Sequence, residues 1–224
     1  MKKRTKKRFE DEEPEGNIEE SAQSMFFLNA PTDGQEEGKL RLLSLYGEVE
    51  EEKAADLTYA LYFLRDSGKL EKPKDPEDPD SEIEISYEPI ELMISTYGGS
   101  AAEMFSIYDV MRYVRRDCEI LTMGLGKVMS AGVLLLAAGT KGKRRIGKNC
   151  KIMIHSVIGG SAGAIHNLEN EMEELRLTQQ QYIDALIEET SMSKRYIKKL
   201  LGKKINIYLS AEEAVKLGIA DEIV

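Results

Sequence analysis

A serine, a histidine and a glycine pair occupy places in this sequence where backbone geometry could make them act together. Ser130 lies within Gly126-Lys127-Val128-Met129-Ser130-Ala131-Gly132 and directly precedes the apolar run Val133 to Ala138, which puts it at the mouth of a buried helix. His155 closes Ile152-Met153-Ile154-His155, a short apolar run that reads as a buried strand. Leu92-Met93-Ile94-Ser95-Thr96-Tyr97-Gly98-Gly99-Ser100 reads as a strand entering a Gly-Gly turn and a helix start, whose backbone N–H groups can face a negative oxygen. A hydroxyl nucleophile, an imidazole base and oxyanion donors are the parts that acyl transfer requires. Each also has a plainer reading. Ser130 could be an ordinary N-cap, His155 a satisfied structural residue, and Gly98-Gly99 a simple turn. The second histidine, His166, falls in a Gly-rich connection and reads as a solvated side chain.

The elements around these residues alternate. Leu40 to Tyr46 suggests a strand ending at Gly47, and Glu51 to Leu64 has helical spacing through Ala55, Leu57, Ala60, Leu61 and Leu64. Ile90 to Ser95 follows as a strand, and Ser100 with Glu103 forms a capping box for a helix carrying Phe105, Ile107, Tyr108, Met111 and Val114. Then come strand Ile120 to Met123, helix Ala131 to Ala138 and strand Lys151 to His155. Such alternation indicates a layered α/β core with right-handed crossovers. Beyond Gly159-Gly160-Ser161-Ala162-Gly163, a long polar helix carries Ile165, Leu168, Met172, Leu175, Gln179, Tyr182 and Leu186 in a narrow stripe. That stripe packs either on a helix of another subunit or on the chain's own sheet. Ser210 with Glu213 caps a short helix stopping at Gly218, and Ile219 to Val224 ends the chain as a strand.

Bulk properties narrow the function. The 224 residues suit one domain with extensions, and a net charge of −9 argues against general binding to nucleic acid or anionic membrane. Met1 to Arg8 holds six basic residues before the acidic run Glu10-Asp11-Glu12-Glu13, so residues 1–24 read as a disordered, charged extension of a domain spanning 25–224. Residues 71–82 read as an acidic, Pro-rich surface insertion. Cys118 and Cys150 lack metal-ligand spacing and read as reduced core residues of a cytoplasmic protein. No apolar run approaches the roughly 20 residues that span a membrane.

The chain resembles the Clp protease proteolytic subunit, ClpP, a serine peptidase family of the ClpP/crotonase fold. Gly98-Gly99-Ser100, Ile107-Tyr108-Asp109, Ser130 with Gly132, Ala138 to Arg144, Met153-Ile154-His155 and Leu209-Ser210-Ala211-Glu212-Glu213-Ala214 match its motifs in order. The resemblance implies layered β-β-α repeats with a protruding handle, a strand plus the long helix, at about 156–190. It implies Ser130 as nucleophile, His155 as general base, the N–H groups of Gly99 and Ala131 as oxyanion hole, and Gly159 and Gly160 as substrate-binding residues. It further implies stacked heptameric rings forming a homo-oligomeric tetradecamer, polypeptide substrates, and an AAA+ unfoldase that uses ATP. The peptidase itself would need no cofactor and no metal.

Four departures stand out. Asn206 occupies the position of the family's third triad residue, an Asp; Tyr97 replaces a proline; Ser156 follows His155 in place of Gln-Pro; and two extra residues precede Gly126. An Asn carbonyl can orient the imidazole but lacks the charge that stabilises imidazolium; Asp→Asn in a Ser-His-Asp triad costs about 10⁴ in kcat, roughly 5.5 kcal/mol. These features also admit a catalytically silent ring subunit, or a viral capsid-maturation peptidase working without an unfoldase.

Overall fold

Runs of branched apolar residues form the middle of a mostly parallel sheet. In the computed structural model, which describes residues 40–78, 81–203 and 205–224, strand β1 (Leu42–Val49) leads through helix α1 (Glu51–Ser67) to an antiparallel hairpin of β2 (Lys69–Pro73) and β3 (Ile83–Tyr87). Then follow β4 (Ile90–Gly99), α2 (Ala101–Val114), β5 (Ile120–Met129), α3 (Ala131–Ala137), β6 (Arg145–Ile146) and β7 (Lys151–Ile154). The chain closes with α4 (Ile165–Glu189), α5 (Lys194–Leu201), β8 (Ile207–Leu209), α6 (Ala211–Lys216) and β9 (Glu222–Ile223). The main sheet runs β1-β4-β5-β6-β9, with β7 also on β5 and β8 on β7. Every pair in it is parallel except β7–β8. The α/β class expected from the alternation is the one found. Residues 1–24 lie outside the described residues, and among the described residues no helix is long and apolar enough to cross a membrane.

Helix α3 is buried along its whole length. Burying Val133, Leu134, Leu135 and Leu136 is worth about 6–12 kcal/mol gross, which anchors whatever precedes the helix. It sits close to β4 because Gly132 faces Thr96; a Cβ there would fall 2.4 Å from Thr96 Cγ2. At the end of α2, Glu189 of α4 is fully buried and is paired bidentately by Arg115, while Tyr108 Oη–H donates to it at 3.0 Å. The caps follow the sequence signals. Ser210 and Glu213 exchange both bonds of a capping box, whereas Ser100 accepts from Glu103 N–H without the reciprocal bond. Cys118 and Cys150 are buried and unpaired; burial raises both thiols, Cys150 to about 11.

Five expectations change. β1 runs past Gly47 to Val49 through a register shift at Gly47/Glu48, where Gly47 takes φ +82. β5 continues beyond Met123 to Met129, and β4 beyond Ser95 to Gly99. The insertion at 71–82 begins inside β2, since a two-stranded edge tolerates Pro73 at a strand end. Gly159 to Gly163 forms no strand: residues 155–164 pass from β7 to α4 unpaired. Its three glycines raise the entropy lost on extension, and no strand of this subunit pairs with it. The stripe on α4 divides between its two readings. Its Tyr182 and Leu186 are buried on the chain's own core, with Ile183 and Ala185 beside them, while its Ile165, Leu168 and Met172 are exposed, as is neighbouring Leu177.

Candidate active site

Three parallel strands deliver the chemistry-bearing residues to one edge. β4 ends at Gly99, β5 at Met129 and β7 at Ile154, so Ser130 and His155 are the first residues beyond two adjacent carboxyl ends. Ligands of open parallel α/β sheets bind at such ends. The register Met129↔Met153 is extended by a bond from Ser130 N–H to Met153 O at 2.8 Å, which ties the serine turn to the histidine strand.

Ser130 has φ 52 and ψ −120, the one non-glycine residue with positive φ among the described residues. Such backbone strain costs about 1–3 kcal/mol and persists because β5 and α3 fix both sides of the turn. The hydroxyl makes no capping bond to its helix, so the N-cap reading does not account for it. Its carbonyl instead accepts from Val133 N–H at 3.0 Å and from Tyr182 Oη–H at 3.2 Å. Tyr182 is buried, and desolvation pushes its hydroxyl well above the ordinary tyrosine range, so it stays a neutral donor.

The Gly-Gly turn lies against the serine. A Cβ on Gly98 would fall 2.5 Å from Ser130 Cβ, and one on Gly99 would fall 2.2 Å from Val49 O. Gly98 N–H donates to Thr96 Oγ1 at 2.9 Å and Ser100 N–H to Val49 O at 2.8 Å. Successive N–H groups of an extended chain point to opposite sides, so Gly99 N–H faces away from β1. Ala131, the first residue of α3, has an N–H without an intrahelical acceptor. Both N–H groups are therefore available to an oxygen.

Gly99, Ala131, Ser130 and His155 line a single cleft of about 320 Å³, together with Tyr97, Met104, Val157, Ile158 and Tyr182. Gly159 and Gly160 are not part of that lining; Val157 and Ile158 are. His155 Nδ1 lies 2.6 Å from Ser156 O, a carbonyl that can only accept, so Nδ1 is the donor of this pair. Among the described residues no hydrogen bond joins Ser130 Oγ to His155, or His155 to Asn206. Asn206 is exposed, yet it stands one step beyond the last β7–β8 pair, Ile154↔Ile207, directly across from His155. His166 is 93% exposed and reaches Glu169 at 3.4 Å, as expected of a solvated residue. Among the described residues no cluster of His, Cys, Asp and Glu is suited to a metal ion.

Sequence reasoning assigned no site role to Tyr97, Met104, Gln179 or Tyr182. Tyr97, exposed at the cleft, is covered by Lys127 Nζ at 4.5 Å from its ring centroid. Gln179 Oε1 accepts from Val157 N–H at 2.7 Å. A polar residue in an otherwise apolar stripe was the available signal for Gln179.

Fold and cleft together define an α/β protein that brings a hydroxyl, an imidazole and two backbone N–H groups to one cleft. The family model for Clp protease matches residues 81–224, and the chain belongs to that family. A peptidase is the activity that membership supports.

Proposed function

We propose that this chain is a serine endopeptidase that cleaves unfolded polypeptides inside a sequestered chamber of stacked heptameric rings, fed by an ATP-dependent AAA+ unfoldase. The observation that carries the reading is the convergence of Ser130, His155 and the Gly99 and Ala131 N–H groups on one cleft. Ser130 Oγ attacks the scissile carbonyl while its proton passes to His155 Nε2. Gly99 and Ala131 hold the oxyanion of the tetrahedral intermediate, and His155 returns a proton to the leaving amine. Water then attacks the acyl-enzyme by the same route. The apolar lining from Met104, Val157 and Ile158 suits an apolar substrate side chain. Asn206 stands across from His155 one step beyond the last β7–β8 pair without a bond to it, and Gly159 with Gly160 meets the extended substrate. Exposed Ile165, Leu168, Met172 and Leu177 on α4, and Tyr59, Tyr62 and Phe63 on α1, support self-association, since a lone subunit gains nothing from such patches. The free buried cysteines support a cytoplasmic setting.

A catalytically silent ring subunit is the second reading, favoured by the missing Ser130–His155 hydrogen bond. Fluorophosphonate labelling of the assembled protein, followed by intact mass, separates the two. A single adduct lost in Ser130→Ala supports the peptidase. Failure of the wild type to label in its assembled form refutes it.

A further inference from the structure

We propose that Gln179, on the long helix α4, positions His155 through the Ser156–Val157 peptide group, and that this backbone unit supplies the orientation ordinarily given by a third triad side chain. The inference rests on the peptidase reading for its kinetic consequence, and on geometry alone for its structural one.

The two bonds concerned belong to one planar amide. His155 Nδ1–H donates to Ser156 O at 2.6 Å, and Val157 N–H donates to Gln179 Oε1 at 2.7 Å. Ser156 O and Val157 N–H are opposite ends of the same trans peptide unit, since the chain contains no cis bond among its described residues. Rigid planarity means that fixing the N–H direction fixes the carbonyl direction. A bond donated at the N–H end also polarises the amide and strengthens acceptance at the carbonyl end. Gln179 thereby sets where the imidazole points and which nitrogen holds its proton. The resulting Nδ1–H tautomer is the one that leaves Nε2 free to take a proton from Ser130.

Helix α4 is suited to this task because it also holds the serine turn. Tyr182, three residues beyond Gln179 and on the same face, donates to Ser130 O at 3.2 Å. Gln179 Nε2 is buried without a partner, a cost that is tolerated where the Oε1 end has a use. Asn206 has no bond to His155, and the single Nδ1–H is already engaged.

The test compares Gln179→Leu, Gln179→Glu and Asn206→Ala in the assembled full chain. Readouts are fluorophosphonate labelling rate, kcat and KM on a short peptide, the pH profile, and the ¹⁵N shifts of His155. Only two histidines are present, so assignment is direct. Gln179→Leu is expected to lower labelling and kcat by about 30-fold with KM within about twofold, and to shift His155 away from the Nδ1–H tautomer. Gln179→Glu keeps the acceptor and is expected within about threefold of wild type, and Asn206→Ala is expected to lose less than Gln179→Leu. A loss of about 100-fold or more in Asn206→Ala, with Gln179→Leu unaffected, overturns the proposal in favour of Asn206. A Gln179→Leu loss that Gln179→Glu does not rescue reduces Gln179 to a packing residue and also overturns it. If the wild type fails to label yet His155 shows the Gln179-dependent Nδ1–H tautomer, the peptidase reading falls and the positioning stands.

Discussion

Replacing Gly98 by alanine should damage both stability and site, for separable reasons. The added Cβ would lie 2.5 Å from Ser130 Cβ and 3.0 Å from Ser130 Oγ and Met129 O, where ordinary contact begins near 3.4 Å. Relief needs a shift of roughly 1 Å at Ser130, in a region as tightly packed as an organic crystal. Overpacking of this kind costs about 1–3 kcal/mol, and an alanine forced to positive φ, here +101, adds about 1–2 kcal/mol. The total of about 2–5 kcal/mol corresponds to a fall in Tm of roughly 5–20 °C for a domain of this size. A 1 Å displacement of a nucleophile costs on the order of 100-fold in rate. Gly142 is the control: its φ is +85, but nothing lies within 4 Å of a Cβ there. Gly142→Ala should cost only the conformational part, about 1–2 kcal/mol, and leave labelling of Ser130 at the wild-type rate. Differential scanning fluorimetry and timed fluorophosphonate labelling of both variants give the answer. Equal Tm losses and equal labelling rates in the two would refute the claim that Gly98 exists to make room for Ser130.

Ser130→Gly should melt higher than Ser130→Ala, because glycine relieves the φ 52 strain that alanine keeps, a difference of about 1 kcal/mol readable by calorimetry; both should be unlabelled. Glu189→Ala leaves the Arg115 guanidinium and Tyr108 hydroxyl without their buried acceptor, and should lower stability by about 3 kcal/mol or more in denaturant unfolding. For Asp221, burial pushes the carboxyl up, but bonds from Arg144 and Gly142 outweigh it and hold the carboxyl below its usual 3.8. A depressed folded value means stability fully present above the unfolded value and lost as pH falls through the folded one. Asp221→Asn should therefore flatten the acid limb of stability below about pH 4 relative to wild type, measured by urea midpoints across pH; parallel acid limbs would count against the pairing.

The candidate site residues stood out in the sequence because they sit at the edges of apolar runs. Ser130 directly precedes the continuous apolar run of α3, and His155 closes the run that forms β7. What escaped is tertiary. The strand expected over Ile120 to Met123 runs on through Gly124 and Gly126: a Cβ on Gly124 would fall 3.0 Å from Leu136 Cδ2, so the helix above demands the gap. The expected strand at Gly159 to Gly163 needs an edge to pair with, which local sequence cannot supply. Its first glycine packs instead on α4, where a Cβ would fall 2.3 Å from Leu175 Cδ2. Helix α5 was missed because its buried residues, Ile197, Leu200 and Leu201, are set among lysines in a run of eight residues, little more than two turns. Gln179 differs from its stripe in being polar, but the Val157 N–H that it serves lies in a connection whose path local sequence does not fix.

Helix α4 also has a mechanical meaning. Its 25 residues span about 37 Å at the usual rise, clamped at the inner end by Tyr182, Ile183, Ala185, Leu186 and Glu189 and bare over the outer half. It is a cantilever whose root carries Gln179 and Tyr182. A load at the tip acts with a long arm on the root, so a light contact some 20 Å away would stiffen the segments bearing His155 and Ser130 more than an equal contact beside them. Shortening the outer arm by whole turns, with the root intact, would reduce that leverage in proportion to the length removed.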